Sequence, residues 1–240
     1  MPSSITYEYL SCAAQRTAHV ADWVQWGMGR DALVFGVHKA LAVWLDPTEP
    51  TARAPAVHMW PLPCQETVHV LKAWQDDDPR IVVGTYEGGL ELWRVHGDEL
   101  CCDASMPGAH AAAITAVGVP RDAYTREHSP REFVTGGSDS KLRVWSCDPL
   151  RVVQTVDLEG AFPLDVALVS LPQTDAMVMA VAATDRRISL YVRGGGSGAY
   201  VRQLRLAGHE DWVRALDFTV ALPDVWLASA SQDQHVRPVS

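Results

Sequence analysis

Asparagine is absent from the 240 residues, and only three lysines (Lys39, Lys72 and Lys141) stand beside 17 arginines. Both skews read as codon bias in a GC-rich genome rather than selected chemistry, and the first removes every N-glycosylation acceptor. Cysteine is scarce too: Cys12, Cys64, Cys101, Cys102 and Cys147 form an odd set with no Cys-x-x-Cys pair. That argues against a disulfide framework or zinc knuckle and favours a reducing compartment. The longest apolar run, Ala176 to Ala183, falls far short of the roughly 20 residues a membrane helix needs. Met1 to Gln15 lacks a basic start followed by an apolar stretch, and Glu8 interrupts it, against a secretory signal. The expected location is cytoplasmic, with the nucleus as a second site. Basic charge is also short: 20 Lys and Arg against 29 Asp and Glu leave a net charge of −9, which repels phosphate backbones and argues against an extended nucleic-acid groove. Sustained helical periodicity is missing as well.

What is present is globular in composition. With 48% hydrophobic and 20% charged residues the chain is too apolar for disorder. A chain of this length buries on the order of 70% of its unfolded surface, so its core needs no covalent or metal staple.

A repeat of just under fifty residues organises it. One unit reads Glu132 to Asp139 followed by Lys141 to Trp145: an apolar strand, small residues, a tight turn carrying Asp, and a second strand ending in Trp. The same grammar recurs at Ile81 to Glu87 with Leu90 to Trp93, at Val181 to Asp185 with Ile188 to Tyr191, at Leu33 to Gly36 with Leu41 to Trp44, and at Trp226 to Asp233 with His235 to Arg237. The aromatic ends Trp44, Trp93, Trp145 and Tyr191 lie 49, 52 and 46 residues apart, the spacing of a four-stranded blade. Two further extended stretches per unit, such as Ala113 to Val119 and Arg151 to Val156, complete the four strands. Alternation of Leu142 and Val144 against Arg143 is the half-buried strand signal. The expected fold is therefore all-β, with units at 17–64, 65–107, 108–159, 160–207 and an incomplete 208–240. Pro47 to Pro63, Arg121 to Arg131 and Gly194 to Gly198 read as surface loops.

Gly208-His209 opens the fifth unit and Gly108-Ala109-His110 precedes the third, each roughly twenty-five residues before a turn Asp. In these Gly-His starts, the Ser/Thr-to-Asp spacing and the strand-ending Trp, the chain resembles the WD40 family. The resemblance implies a WD40 β-propeller, here about five four-stranded blades with the last incomplete, part of a seven-bladed ring. It also implies a buried hydrogen-bond chain, from the Trp145 indole through Thr135 and His110 to Asp139, with His209, Ser229 and Asp233 in the same places of the fifth unit. The second unit departs from this with Val83 for the hydroxyl and Glu87 at the turn, and the fourth has Asp185 but no His near Gly160; both are expected to rely more on apolar packing.

A His, a hydroxyl and an Asp together also make a nucleophilic triad. Repetition decides between the readings, because an active site occurs once and this set occurs at equivalent positions of two units. No catalytic, cofactor-binding or metal residue is assigned. A second metal-binding His of the zincin type, a Gly-x-Ser-x-Gly elbow, a phosphate loop and a dinucleotide fingerprint are all missing. His96, Cys101, Cys102 and His110 match no zinc spacing, and adjacent strand cysteines point to opposite faces. Of nine Trp residues, Trp44, Trp93 and Trp145 are expected to be buried; Trp23, Trp26, Trp60, Trp74, Trp212 and Trp226 read mainly as core, with one or two left to anchor a partner.

The end blades are more specific. Leu206 to Arg214 with Leu227 to Arg237, and Tyr9 to Arg16 followed by Ala32 to Gly36 and Leu41 to Trp44, are similar to the WD40 scaffold family of the Elongator complex, which modifies wobble uridines of tRNA. This implies a non-catalytic subunit that holds the Elongator largest subunit and the radical-SAM acetyltransferase subunit, the cluster chemistry belonging to the latter. Two other classes compete: a generic WD40 adaptor, such as a ubiquitin-ligase substrate receptor or signalling scaffold, and an enzyme on a propeller. Arg126, Arg131, Arg202 and Arg205 are the candidates for direct tRNA contact, a weaker reading than solvated surface charge. Where a Trp is expected after Val236-Arg237 the chain reads Pro238-Val239-Ser240, so the last blade is expected to stop within its third strand, and an open ring of this kind is expected to be poorly soluble. Ile5 to Leu10 is the candidate for an outer strand of a distant blade.

Overall fold

The computed structural model describes residues 20–26, 30–45, 57–74, 78–120, 132–171, 174, 176–194, 198–221 and 224–239. Among them are nineteen strands and no helix. The first sheet is β1 (Ala21–Trp26), β2 (Arg30–Val37), β3 (Ala40–Leu45) and β4 (Val57–Pro61). The second is β5 (Val68–Trp74), β6 (Arg80–Thr85), β7 (Leu90–His96) and β8 (Glu99–Met106). The third is β9 (Ile114–Gly118), β10 (Glu132–Gly137), β11 (Lys141–Cys147) and β12 (Leu150–Asp157). The fourth is β13 (Pro163–Ser170), β14 (Met177–Ala183), β15 (Ile188–Arg193) and β16 (Val201–Leu206); the fifth is β17 (Val213–Ala221), β18 (Asp224–Ser231) and β19 (Val236–Val239). Every pairing within these sheets is antiparallel between sequence neighbours, the arrangement that short turns allow.

The turn between the second and third strands is the same device in each sheet. Its left-handed residue is His38, Gly88, Ser140, Arg186 or Gln234, and in the last four sheets an acidic residue stands just before it. A non-glycine residue in this conformation carries a cost of about 1 kcal/mol, which the flanking ladders hold in place.

Four apolar clusters lie between successive sheets. Val34 and Leu41 meet Ile81 and Trp93; Val82 and Leu92 meet Phe133 and Trp145; Leu142 and Val144 meet Met179 and Tyr191; Ala182 and Ile188 meet Leu216 and Leu227. Each fully buried Leu, Ile or Phe contributes on the order of 1.5–3 kcal/mol, so the sheet junctions carry the core. The first strands pack in order, β1 on β5, β5 on β9, β9 on β13 and β13 on β17. A side chain crosses each of these steps to the next backbone: Asp22 Oδ2 accepts from Ala73 N (2.9 Å), His69 Nδ1 reaches Ile114 O (2.8 Å), Thr115 donates to Pro163 O (2.6 Å), and Asp165 Oδ2 accepts from Leu216 N (2.7 Å). At the far end of the second strands, Arg30 pairs with Asp98 (2.5 Å), Arg80 with Asp148 (2.9 Å), and Glu132 with Arg193 and the Tyr200 hydroxyl. Antiparallel blades stacked about their first strands in this way form a β-propeller arrangement. Among the described residues no extensive contact joins the fifth sheet to the first.

Three expectations need correction or placement. The Pro- and Ala-rich stretch Pro47 to Pro63 is not all loop, because β4 occupies Val57–Pro61 and pairs with β3; its composition hid a short outer strand. Trp44 is only half-buried, unlike Trp93 and Trp145; among the described residues no further sheet packs on that face of the first blade. Pro238 does sit in a strand, but β19 is the edge of its sheet, where a missing N–H leaves no ladder bond broken. Ile5 to Leu10, Tyr9 to Arg16 and the Arg121 to Arg131 loop with Arg126 and Arg131 lie outside the described residues.

Candidate functional site

The only repeated constellation of reactive side chains that the sequence presents sits where the loop entering a blade meets its second-to-third-strand turn. In the third blade the Trp145 indole N–H donates to Thr135 Oγ1 (2.8 Å), Thr135 Oγ1 lies 2.7 Å from His110 Nε2, and His110 Nδ1 lies 2.9 Å from Asp139 Oδ1. Thr135 and His110 are buried. The indole can only donate, so Thr135 Oγ1 accepts from it and its own hydrogen is turned to His110 Nε2, while His110 Nδ1 lies within hydrogen-bond distance of both Asp139 Oδ1 (2.9 Å) and Arg143 Nη1 (2.6 Å). Asp139 Oδ2 also accepts from Ala111 N (3.1 Å) and Arg143 Nη1 (2.9 Å). The chain thus ties the entering loop, two strands and the turn together. Gly137 makes room for it, since a Cβ there would collide with the His110 ring.

Electrostatics keep these groups in single charge states. Burial lowers the His110 pKa, with the Arg143 and Lys141 charges adding to the effect and Asp139 opposing it. Burial works to raise Asp139, but hydrogen bonds from His110, Arg143 and the Ala111 amide outweigh it and bring the carboxyl to about 2. A neutral imidazole against an ionised carboxylate is the result at neutral pH.

The fifth blade repeats the geometry. His209 Nε2 lies 2.8 Å from Ser229 Oγ and Nδ1 lies 2.8 Å from Asp233 Oδ2, while Asp233 accepts further from the amides of Glu210 (3.0 Å) and His235 (3.0 Å). Burial again works to raise this carboxyl, and the Glu210 amide, His209 and the His235 amide hold it below the usual range. Ser229 also lies 3.3 Å from the Arg237 carbonyl. All seven residues expected to form the two sets are therefore brought together as two clusters of four and three.

The second blade solves the same problem with other residues. Val83 offers no hydroxyl, and the Trp93 indole donates instead to Glu91 Oε2 (2.9 Å). Glu91 is fully buried, and its other oxygen accepts from the Cys64 amide (3.0 Å) and Ser105 (3.3 Å). Glu91 stands two residues before Trp93, the slot Arg143 holds before Trp145. Beside it Thr85 donates to Glu66 (2.6 Å) and accepts from Gly89 N (2.7 Å). The expectation that this blade relies more on apolar packing is thus qualified by a finding: a buried carboxylate takes the place of the imidazole chain. The overlooked signal was strand phase, since Glu91 alternates in step with Trp93 and so shares its buried face. Burial and Glu91 push the Cys64 thiol up to about 12 and the Cys102 thiol up to about 11. In the fourth blade Asp185 pairs with Arg205 (3.7 Å), and Glu159 with Arg202 (3.9 Å), so two of the arginines considered for tRNA face carboxylates.

The arrangement holds the entering loop to the turn of its own blade. Both imidazole nitrogens of His110 and of His209 are engaged, and the Thr135 and Ser229 hydroxyls are buried, so neither hydroxyl is presented to a substrate. Among the described residues no group of three or more His, Cys, Asp or Glu is placed to hold a metal ion, and no helix is long and apolar enough to cross a membrane.

Residues 200–237 match the WD domain, G-beta repeat family. Over the wider chain the similarity is to Elongator complex protein 2: 28% identity with the Danio rerio protein, covering 95% of this chain and 27% of that one; 26% with the Drosophila melanogaster protein, covering 95% and 28%; and 29% with the Homo sapiens protein, covering 68% and 20%. The chain thus spans about a quarter of the length of these relatives. A crystal structure of BBS1N in complex with ARL6DN, soaked with mercury, superposes with a TM-score of 0.67 over 93% of this chain and 65% of that one, at 14% identity. That likeness is one of fold.

Proposed function

We propose that this chain is a non-catalytic WD40 scaffold subunit of an Elongator-type complex, serving wobble-uridine modification of tRNA by holding other subunits together. The observation that carries the reading is the alignment with Elongator complex protein 2 along 95% of the chain in two animals. The buried His110 and His209 sets support it from the other side, because their chemistry is spent on blade corners. On this reading the partners are the largest Elongator subunit and the radical-SAM acetyltransferase subunit, the working compartment is the cytoplasm, and tRNA is met through those partners.

Affinity purification of the tagged protein from its own cells, followed by mass spectrometry, tests this. Recovery of both subunits is the expected result. Recovery of ubiquitin-ligase or signalling components in their place would establish the adaptor reading instead. Asp139→Asn and Asp233→Asn address catalysis: each is expected to lower thermal stability, and a variant that keeps its stability yet abolishes wobble modification would point to an enzyme.

A further inference from the structure

Among the described residues each of the first four blades ends in an outer strand that pairs on one side only, leaving a row of backbone N–H and C=O groups along its other edge. Such an edge invites another strand, and charge or proline within it is the usual guard. β4 carries His58 and Pro61, β8 carries Glu99 and Asp103, and β16 carries Arg202 and Arg205. β12 differs. Its central residues Val152, Val153, Gln154, Thr155 and Val156 include neither charge nor proline, and all but Gln154 are β-branched, the type that favours strands.

The contrast is sharpest at a bulge. In β8, β12 and β16 one residue drops out of the pairing beside the third-strand aromatic: Asp103, Val153 and Gln203. The bulge is common to all three, so the side chain makes the difference. Asp103 pairs with Arg94 (2.9 Å), whereas Val153 is 46% exposed and its neighbour Val152 40%. The third blade packs against the second through one face and the fourth through the other, and both of those sheets have four strands. The exposure of Val152 and Val153 therefore belongs to the middle of the chain and owes nothing to its ends.

This edge is complementary to itself. Arg151 stands at one end of the uncharged run and Asp157 at the other. Antiparallel pairing of two such strands brings the basic end of each beside the acidic end of the other, while parallel pairing sets like charges together. We propose that two copies of this chain associate through β12, edge to edge and antiparallel, joining two four-stranded third blades into one continuous sheet. Main-chain hydrogen bonds supply the contact, as in strand addition generally. The two-fold symmetry uses the same edge on both copies, so the assembly closes at two. This pairing does not depend on any Elongator partner.

Sedimentation velocity on the 240-residue chain between about 1 and 100 μM, the range of weak specific interfaces, tests it. The expected mass rises from 26.3 kDa to twice that value and no further. Val153→Lys, which puts a charge in the middle of the edge, is expected to stay monomeric. Arg151→Asp and Asp157→Arg are each expected to weaken association about tenfold. Their equimolar mixture is expected to recover the parent's affinity, since one strand is then acidic at both ends and the other basic at both. Hydrogen exchange on the parent chain needs no variant and covers the case in which circular dichroism finds one unfolded. The β12 amides are expected to slow with rising concentration, and those of β8 and β16 to stay unchanged. A parent chain that stays monomeric, association that survives Val153→Lys, a mixture that remains weak, or protection confined to other strands would each overturn the proposal.

Discussion

Replacing Thr135 by valine isolates the corner chain more cleanly than any other change. The two side chains have nearly the same shape, so the buried volume is kept and only the hydroxyl is lost. Two groups are then stranded: the Trp145 indole N–H, now 2.8 Å from a methyl group, and His110 Nε2, previously 2.7 Å from the hydroxyl. Both belong to buried residues, and each unsatisfied buried group costs about 1–3 kcal/mol. The expected destabilisation is about 2–4 kcal/mol, which for a chain of this size lowers the melting temperature by roughly 5–15 °C. Thr155→Val, at an exposed position of β12 in the same blade, serves as the control and should fall within about 0.5 kcal/mol of the parent. Differential scanning calorimetry on the three proteins reads the difference. If Thr135→Val melts no earlier than Thr155→Val, the hydrogen-bond chain contributes nothing to stability and the structural role assigned to His110 and Asp139 fails with it.

Glu91→Ala removes the acceptor of Trp93, Cys64 and Ser105 together and is expected to cost about 2–4 kcal/mol in urea titration, with Glu91→Gln costing less because one oxygen remains; an Ala variant as stable as the parent would refute the assigned hub. Lowering the pH is expected to act in two steps. The folded His110 pKa lies below its ordinary 6.5, so the unfolded chain takes up the proton first; this contribution is whole above pH 6.5 and declines as pH falls below it. Asp139, at about 2 instead of 3.8, adds stability that is lost as pH falls from 3.8 towards 2, about 1–2 kcal/mol after solvent screening. Melting curves from pH 8 to pH 2 should show a smaller lower step in Asp139→Asn than in the parent, the part that remains belonging to Asp233, whose carboxyl is also held below the usual range. Iodoacetamide at pH 8 should label Cys101, which is exposed on β8, well ahead of Cys64 and Cys102, whose thiols stay protonated; peptide mapping with equal labelling would contradict this.

The third blade was the most legible part of the chain because everything that defines it lies inside one unit. Thr135, Asp139 and Trp145 are separated by one turn and its ladder, and His110 stands just before the first strand of the same sheet, so their places in the repeat carry over into space. The second blade obscured itself by substitution. Val83 announced the loss of a hydroxyl, and only the register that sets Glu91 beside Trp93 on the buried face reveals what replaced it. Trp44 was misjudged for a different reason: its position within the blade is that of Trp93 and Trp145, but burial there depends on a neighbouring sheet.

Strand alternation, the acidic turn with its left-handed residue and the recurrence of a four-strand unit are local properties, and the order of residues alone determined them. The links between blades were decided by tertiary structure. Asp22 on Ala73, His69 on Ile114, Thr115 on Pro163 and Asp165 on Leu216 use different chemistry at each step. A first strand reaches whatever backbone the rotation between adjacent sheets brings alongside it, and no spacing within one unit encodes that. The same is true of burial: Val236 pairs with Ala230 as Leu142 pairs with Gly136, yet Leu142 is buried and Val236 exposed, because among the described residues only Leu142 has a further sheet beside it.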